Sequence, residues 1–141
     1  MNSARDCVVV DTSTLISVCL FPNSRPALAL RTAVTHFRVC GSAETIAELV
    51  GVLQRDKFDR WRPVAERAKF IEEFLRAIEL VPITEIGTGC RDASNNKFLS
   101  LARSANASII LTSDSDLLVM HPYESIEILD TNAFLARFGS R

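Results

Sequence analysis

The chain has 141 residues, 48% of them hydrophobic, and a formal net charge of −1 at pH 7. This length suits one domain with a buried core, and the apolar content excludes a mainly disordered chain. The balanced charge excludes the strong positive field of a protein that binds nucleic acid irrespective of sequence. We therefore predict a single domain over residues 1–141.

Membrane and export signals are not visible in the sequence. No apolar run reaches the roughly 18 residues of a membrane span, and the start, MNSARDC, lacks the basic-then-apolar pattern of a secretory signal. The cysteines are widely spaced and form no CxxC pair, which predicts small buried hydrophobes in a reducing compartment: Cys7, Cys19, Cys40 and Cys90. We expect a soluble, cytoplasmic protein that does not bind membranes.

Strand-like and helical segments alternate along the chain. Short β-rich runs predict strands at 7–10, 37–40, 80–83, 108–112 and 126–129. Apolar residues at helical spacing predict a helix capped by Ser42, a long helix behind Pro63, a helix around Phe98, and a last helix that begins at Asp130 and Thr131. Another helix is predicted to follow the first strand through Leu15 and Ile16.

This alternation predicts an α/β fold with a parallel sheet covered on both faces, because parallel strands need crossover connections that are usually helical. Ligands of such sheets bind at the carboxyl ends of the strands. Asp11 follows the first strand in CVVVDTSTLIS, and Asp114 and Asp116 follow the fourth in SIILTSDSDLL. These aspartates are therefore candidate site residues.

Two readings of these aspartates remain open. Carboxylates brought together at neighbouring strand ends repel one another unless a cation neutralises them, and oxygen ligands favour Mg²⁺ or Mn²⁺, ions that serve phosphate-ester hydrolysis. Alternatively, Asp11 and Asp114 are ordinary N-caps that satisfy the first N–H groups of the helices behind them.

Basic residues crowd the segment RDKFDRWRPVAERAK, which we call the basic segment (residues 55–69). Arginine donates bidentately to phosphate, and Trp61 within the segment offers a stacking surface for a base. Arg55, Arg60 and Arg62 are therefore candidate RNA-binding residues. The alternative is a solvated corner between helices, since acidic residues are interleaved with the basic ones.

The ordered set of motifs VVVDTSTLIS, SAETIAELVGVLQRDKF, RDASNNKFLSLA and ILTSDSDLL resembles the PIN-domain nucleases, in particular the bacterial toxin components of toxin-antitoxin pairs. The resemblance implies a three-layer α/β/α fold with a small parallel sheet and an acidic cluster that holds Mg²⁺ or Mn²⁺. It further implies hydrolysis of single-stranded RNA, a cognate antitoxin and a homodimer.

Carried over by motif, the resemblance assigns the catalytic acids to Asp11, Glu48 and Asp114, with Thr12 and Ser13 as the small polar residues beside them. The third motif departs from the family pattern D-x-x-D-N-K-F, because Asn95 stands where an acid is expected. Its carbonyl oxygen can coordinate a metal but adds no charge, and Asp92 is a candidate for the missing charge. The expected metal ligands are Asp11, Glu48, Asp92, Asn95, Asp114 and Asp116.

Two other function classes compete with the ribonuclease. Asn95 keeps open a degenerate PIN module that binds RNA or a partner protein without cleavage, and it is also a candidate N-cap of the helix around Phe98. A phosphatase of the haloacid dehalogenase type is disfavoured, because its chemistry needs a second aspartate where Ser13 stands.

Overall fold

The structure is a computed structural model that describes residues 5–139. Within that range five strands form one parallel sheet in the order β3-β2-β1-β4-β5. The strands are β1 (Cys7–Val10), β2 (Arg38–Gly41), β3 (Glu79–Leu80), β4 (Ile109–Leu111) and β5 (Glu127–Leu129). The central position of β1 places Asp11 in the middle of the carboxyl edge, directly beside the end of β4.

The α-helices of the described residues are α1 (Thr12–Leu20), α2 (Arg25–His36), α3 (Ala43–Leu53), α4 (Val64–Ala77), α5 (Asn96–Ser104), α6 (Ser115–Leu118) and α7 (Thr131–Phe138). Single 3-10 turns occupy Asp56–Phe58 and Ala93–Asn95. None of the helices in residues 5–139 is long and apolar enough to cross a membrane.

The sheet carries a hydrophobic core on each face, which confirms the three-layer α/β/α architecture. Because successive side chains of a strand point to opposite faces, Val8 and Val10 contribute to one core and Val9 to the other. The first core is covered by α1 to α4 and α7, and the second by α5 and α6. Burial on both faces explains the continuous apolar run of β1.

The helix starts predicted at Ser42 and Asp130 are confirmed. The Ser42 hydroxyl accepts from the backbone N–H of Thr45, whose own hydroxyl accepts from the Ser42 N–H, so the two residues form a reciprocal capping box at α3. Asp130 caps α7 by accepting from the N–H of Ala133. Both caps lie at carboxyl ends of strands, so they fix where the chain leaves the sheet.

Helix α2 was not predicted from the sequence. Its start carries ordinary signals, since the Ser24 hydroxyl accepts from the Ala27 N–H and Pro26 lies in the first turn. Its buried face consists mainly of alanines, such as Ala27 and Ala33, with Leu30 as the larger apolar residue. Small residues give a weak periodic signal in sequence, yet they let α2 pack closely on the sheet and on α1.

The third strand is shorter than predicted. It comprises only Glu79–Leu80, whereas the sequence pattern predicted a strand at 80–83. Val81 still donates its N–H to the carbonyl of Gly41, but Pro82 has no N–H to continue the ladder. Leu80 and Ile83 are exposed at this edge.

The cysteine prediction was right about burial and wrong about pairing. All four side chains are buried, and Cys19 and Cys90 are free thiols. Cys7 and Cys40, however, are joined in a disulfide. The bond is possible because β1 and β2 are adjacent, with Val9 in register with Cys40, and both cysteines point into the core under α5.

Candidate functional site

Asp11 is the central acid of the site and is also the N-cap of α1. Its Oδ1 accepts from the backbone N–H of Thr14 over 3.0 Å. Its Oδ2 accepts from the hydroxyls of Ser13, over 3.0 Å, and Thr112, over 2.5 Å. Asp11 therefore does cap α1, as the alternative reading predicted, but capping uses only Oδ1 of its two carboxylate oxygens.

The Asp11 carboxylate lies in an unusual environment for an acid, because the residue is only 2% exposed. Burial raises the pKa of this carboxyl above its ordinary value of 3.8, and the hydrogen bonds from Thr112, Thr14 and Ser13 oppose that rise. Among the described residues, its hydrogen-bond partners are hydroxyls and a backbone amide, with no cation. A buried carboxylate without a counter-charge is strongly unfavourable in its ionised form.

Asp114 follows β4 and is joined to Asp11 through one side chain. The Thr112 hydroxyl that donates to Asp11 also accepts from the backbone N–H of Asp114 over 2.9 Å. Oδ1 of Asp114 caps the short helix α6 by accepting from the Asp116 N–H over 2.8 Å. Two acids that are 103 positions apart in the chain therefore meet through Thr112.

Asn95 lies beside Asp114. It is 9% exposed, and its Nδ2 donates to Oδ2 of Asp114 over 3.1 Å. The Asn95 side chain thus points inward, toward Asp114. The alternative role as a side-chain N-cap is wrong, since its side chain makes no capping bond to α5.

Glu48 extends from α3 to the beginnings of α1 and α5. Its Oε1 accepts from the Thr12 hydroxyl over 2.5 Å, and its Oε2 lies 2.9 Å from the ammonium of Lys97. The Glu48 side chain is 30% exposed, so it is partly withdrawn from water. Thr12 directly follows Asp11 in the chain, so Glu48 adjoins the hydrogen-bonded pair of aspartates through the backbone rather than through a hydrogen bond. We call the connected residues Asp11, Thr12, Ser13, Glu48, Asn95, Lys97, Thr112 and Asp114 the acidic network.

Asp92 and Asp116 do not join the acidic network through their carboxylates. Asp92 is an exposed turn residue whose carboxylate accepts from the N–H and hydroxyl of Ser94, and these bonds lower its pKa. Asp116 pairs with Arg91 at 2.9 Å. In this arrangement neither carboxylate supplies the charge that Asn95 lacks.

The basic segment lies toward the far end of α1. Arg62 donates to the carbonyl of Cys19 over 2.6 Å and pairs with Glu66, so it braces the fold. Cys19 is eight residues beyond Asp11, which corresponds to roughly 12 Å along a helix. Arg60 stacks on Trp61, with its guanidinium carbon 4.6 Å from the ring centroid. Arg62 therefore contacts the end of α1 that is remote from Asp11.

Two site residues were not identified from the sequence, Thr112 and Lys97. Thr112 directly follows β4 and precedes Asp114 by two positions, which is a signal that could have been used. Lys97 is the lysine of the motif D-x-x-D-N-K-F, which is a signal that could have been used. Its role depends on the packing of α5 against α3, which sequence spacing does not reveal.

The donors of the acidic network are oxygens, which is the chemistry that Mg²⁺ and Mn²⁺ prefer. Within residues 5–139 no three His, Cys, Asp or Glu side chains are gathered closely enough to form a metal cage by themselves. The acids are instead connected by hydroxyls, an amide and an ammonium. The Asp11 and Asp114 half suits a hard divalent ion, since it combines two carboxylates without a cation among the described residues.

Comparison with known proteins identifies relatives of this fold. A family sequence model described as PIN domain matches residues 7–116. The crystal structure of PAE2754 from Pyrobaculum aerophilum aligns with a TM-score of 0.62 and 17% identity, covering 96% of this chain and 91% of that chain. The crystal structure of VapBC2 from Rickettsia felis, bound to a DNA fragment from their promoter, gives 0.60 and 12%, covering 88% and 98% respectively. No curated protein matches the chain in sequence.

Proposed function

The chain belongs to the PIN domain family, whose sequence model spans residues 7–116, and we propose that it is a divalent-metal-dependent endoribonuclease that cleaves single-stranded RNA. Membership of the family confirms the resemblance read from the four motifs. The metal, the substrate and the site residues belong to the proposal.

One observation carries the proposal: Asp11 is buried at the carboxyl edge of the sheet and linked through Thr112 to Asp114, with no cation among the hydrogen-bond partners of either carboxylate in the described residues. Helix capping accounts for one oxygen of each aspartate. It does not account for a second buried oxygen of Asp11 beside another acid. A bound divalent ion would offset the repulsion and the cost of burial.

In the proposed reaction Asp11 and Asp114 would hold the ion, and the Asn95 carbonyl oxygen would join them once the amide, which now donates to Asp114, turns over. Glu48, whose two oxygens already accept from Thr12 and Lys97, would lie beside this site. Bound Mg²⁺ or Mn²⁺ would polarise the scissile phosphate and stabilise the leaving oxygen. Thr112 orients the Asp11 carboxylate, and the exposed Ser13 hydroxyl lies between that carboxylate and Ser113, 3.0 and 3.2 Å from them.

The test is a cleavage assay on mixed single-stranded RNA with titrated Mg²⁺ and Mn²⁺. Asp11→Asn is expected to lower the rate roughly 100-fold or more, in line with the loss of a charged transition-state contact. Asp130→Asn is the matched control, since Asp130 also follows a strand and caps a helix but lies outside the acidic network. Equal rates for the wild type and Asp11→Asn would exclude this site.

We further propose that the protein acts in the cytoplasm as the toxin of a toxin-antitoxin pair and self-associates as a homodimer. The VapBC2 structure, by its name a complex bound to promoter DNA, supports a protein partner for a chain of this fold. Light scattering on the purified chain tests the dimer: twice the 15.6 kDa chain mass is expected, and a monomer at micromolar concentration would contradict it.

A second candidate function is binding of RNA or a partner protein without cleavage, and Asn95 is the observation that favours it. With a neutral amide beside Asp114, the site has one charge fewer than the family pattern provides. Calorimetry with Mn²⁺ separates the two functions. Absence of binding at millimolar Mn²⁺, together with RNA binding and no cleavage, would favour the non-cleaving module.

A further inference from the structure

Lys97 is a largely buried cation inside the acidic network. Its side chain is 10% exposed, its Nζ lies 2.9 Å from Oε2 of Glu48, and it also donates to the carbonyl of Ser94. An ammonium so far removed from water is unfavourable without a counter-charge, and Glu48 supplies one. Lys97 is therefore anchored by two acceptors rather than extended into solvent.

The acidic network consequently has two electrostatically different halves. Glu48 already has a donor on each oxygen, the Thr12 hydroxyl and the Lys97 ammonium. Asp11 and Asp114 share Thr112 and face the neutral amide of Asn95, and the described residues place no cation against either. The uncompensated charge lies in the aspartate half, where two carboxylates match the charge of one divalent ion.

We propose that Lys97 is a fixed cation of the site that occupies the place of a second metal ion at Glu48 and limits the site to a single divalent ion. This inference rests on the proposed metal-dependent function. A second ion at Glu48 would have to displace Lys97 or lie beside it. The ammonium and the ion are both positively charged, so they would repel each other strongly at close range in a partly buried site. Lys97 acts on Glu48 as a positioning residue.

The experiment counts bound Mn²⁺ on the full chain by calorimetry and by the EPR signal of free Mn²⁺. The wild type is expected to bind one ion. Lys97→Met removes the charge while keeping an apolar stem, and it is expected to bind two ions because Glu48 becomes available. Lys97→Arg retains a cation and is expected to bind one, as is the matched control Lys69→Met, whose lysine is exposed on α4.

Each result bears on a different claim. Two ions on the wild type, or one ion on Lys97→Met, would overturn the role of Lys97 while leaving metal-dependent cleavage intact. No ion on the folded wild type would overturn the proposed function as well. Melting curves guard against a folding defect: Mn²⁺ is expected to raise the Tm of Lys97→Met more than that of the wild type. A variant that stays unfolded at saturating Mn²⁺ would also refute the proposal, since the second ion should replace the ammonium.

Discussion

The Thr112 hydroxyl donates to Oδ2 of Asp11 over 2.5 Å, and this single contact joins the end of β4 to the acid that ends β1. The same oxygen accepts from the N–H of Asp114. Thr112 is 1% exposed, so neither bond can be exchanged for one with bulk water. A neutral side chain thus sets the relative positions of two acids from distant parts of the sequence.

Thr112→Val should therefore weaken both stability and activity. The change keeps the shape of the side chain but leaves the Asp11 carboxylate and the Asp114 N–H short of a partner, which we expect to cost about 1–3 kcal/mol of unfolding free energy. Loss of a group that orients a ligand typically lowers activity roughly 10- to 100-fold. Urea unfolding and the RNA cleavage rate measure the two effects.

Two variants control for that substitution. Thr112→Ser keeps the hydroxyl and should retain most of the activity. Thr32→Val makes the same change at a buried threonine of α2, whose hydroxyl only bonds to the carbonyl of Leu28 in the preceding turn. Equal activity losses in Thr112→Val and Thr32→Val would show that the effect is general destabilisation rather than misplacement of Asp11.

The fold could be predicted from the sequence where the local residue pattern agrees with the way the element packs. The buried run of β1 and the caps at Ser42 and Asp130 were predicted correctly, because they depend on side-chain chemistry within a few residues. Helix α2 was missed because its buried face is built largely of alanine. The Cys7–Cys40 bond was missed because it depends on which strands become neighbours.

The site was readable only in part. Asp11 and Asp114 stand out because each follows a buried strand, whereas Glu48 was identified through the family motif alone. The contacts that define the site join residues far apart in sequence: Thr112 and Asp11 are separated by 101 positions, and Lys97 and Glu48 by 49. Such pairings follow from strand order and helix packing, which periodicity in one sequence does not specify.

The raised pKa of Asp11 makes the stability of the metal-free protein depend on pH. Burial favours the protonated carboxyl in the folded state, so the folded chain binds this proton more tightly than the unfolded chain. The contribution to stability is fully present below the ordinary pKa of 3.8 and is lost as pH rises through the higher folded pKa.

In EDTA, wild-type stability should thus fall more steeply above pH 3.8 than that of Asp11→Asn, which cannot titrate there, and the variant should be the more stable protein at neutral pH. Urea unfolding across a pH series measures this difference. Asp130→Asn should keep the wild-type pH dependence. Parallel curves for wild type and Asp11→Asn would contradict the assignment of the effect to Asp11.

The arginines of the basic segment should separate into two functional groups. Arg60 is exposed and stacked on Trp61, so Arg60→Ala should weaken RNA binding and reduce the salt dependence of log K by about 0.7 for one lost phosphate contact. Arg62→Ala should instead lower stability by about 1.5–3 kcal/mol, because Arg62 holds the carbonyl of Cys19.

Fluorescence anisotropy with single-stranded RNA at several salt concentrations measures the first effect, and urea unfolding measures the second. Arg76→Ala is the matched control, because Arg76 is exposed on α4 and pairs only at the surface with Glu72. Unchanged RNA affinity in Arg60→Ala would contradict a role of Arg60 in RNA binding.

Asn95→Asp should restore the family pattern and strengthen metal binding. The new carboxylate would lie near Asp114, where the amide now donates over 3.1 Å, so the metal-free variant should be less stable than wild type through repulsion between the two acids. Bound Mn²⁺ would relieve that repulsion, and we expect the affinity for Mn²⁺ to rise roughly 10-fold or more, as one added charge close to the ion implies.

Calorimetry with Mn²⁺ and melting curves with and without the ion test this coupling between stability and binding. Asn132→Asp is the matched control: it makes the same change on α7, where Asn132 is exposed and accepts from Arg25, and it should alter neither Mn²⁺ affinity nor the Mn²⁺-induced shift in Tm. If Asn95→Asp bound Mn²⁺ no more tightly than the wild type, Asn95 would not contact the ion. The metal would then have to lie away from the Asn95 side of Asp114.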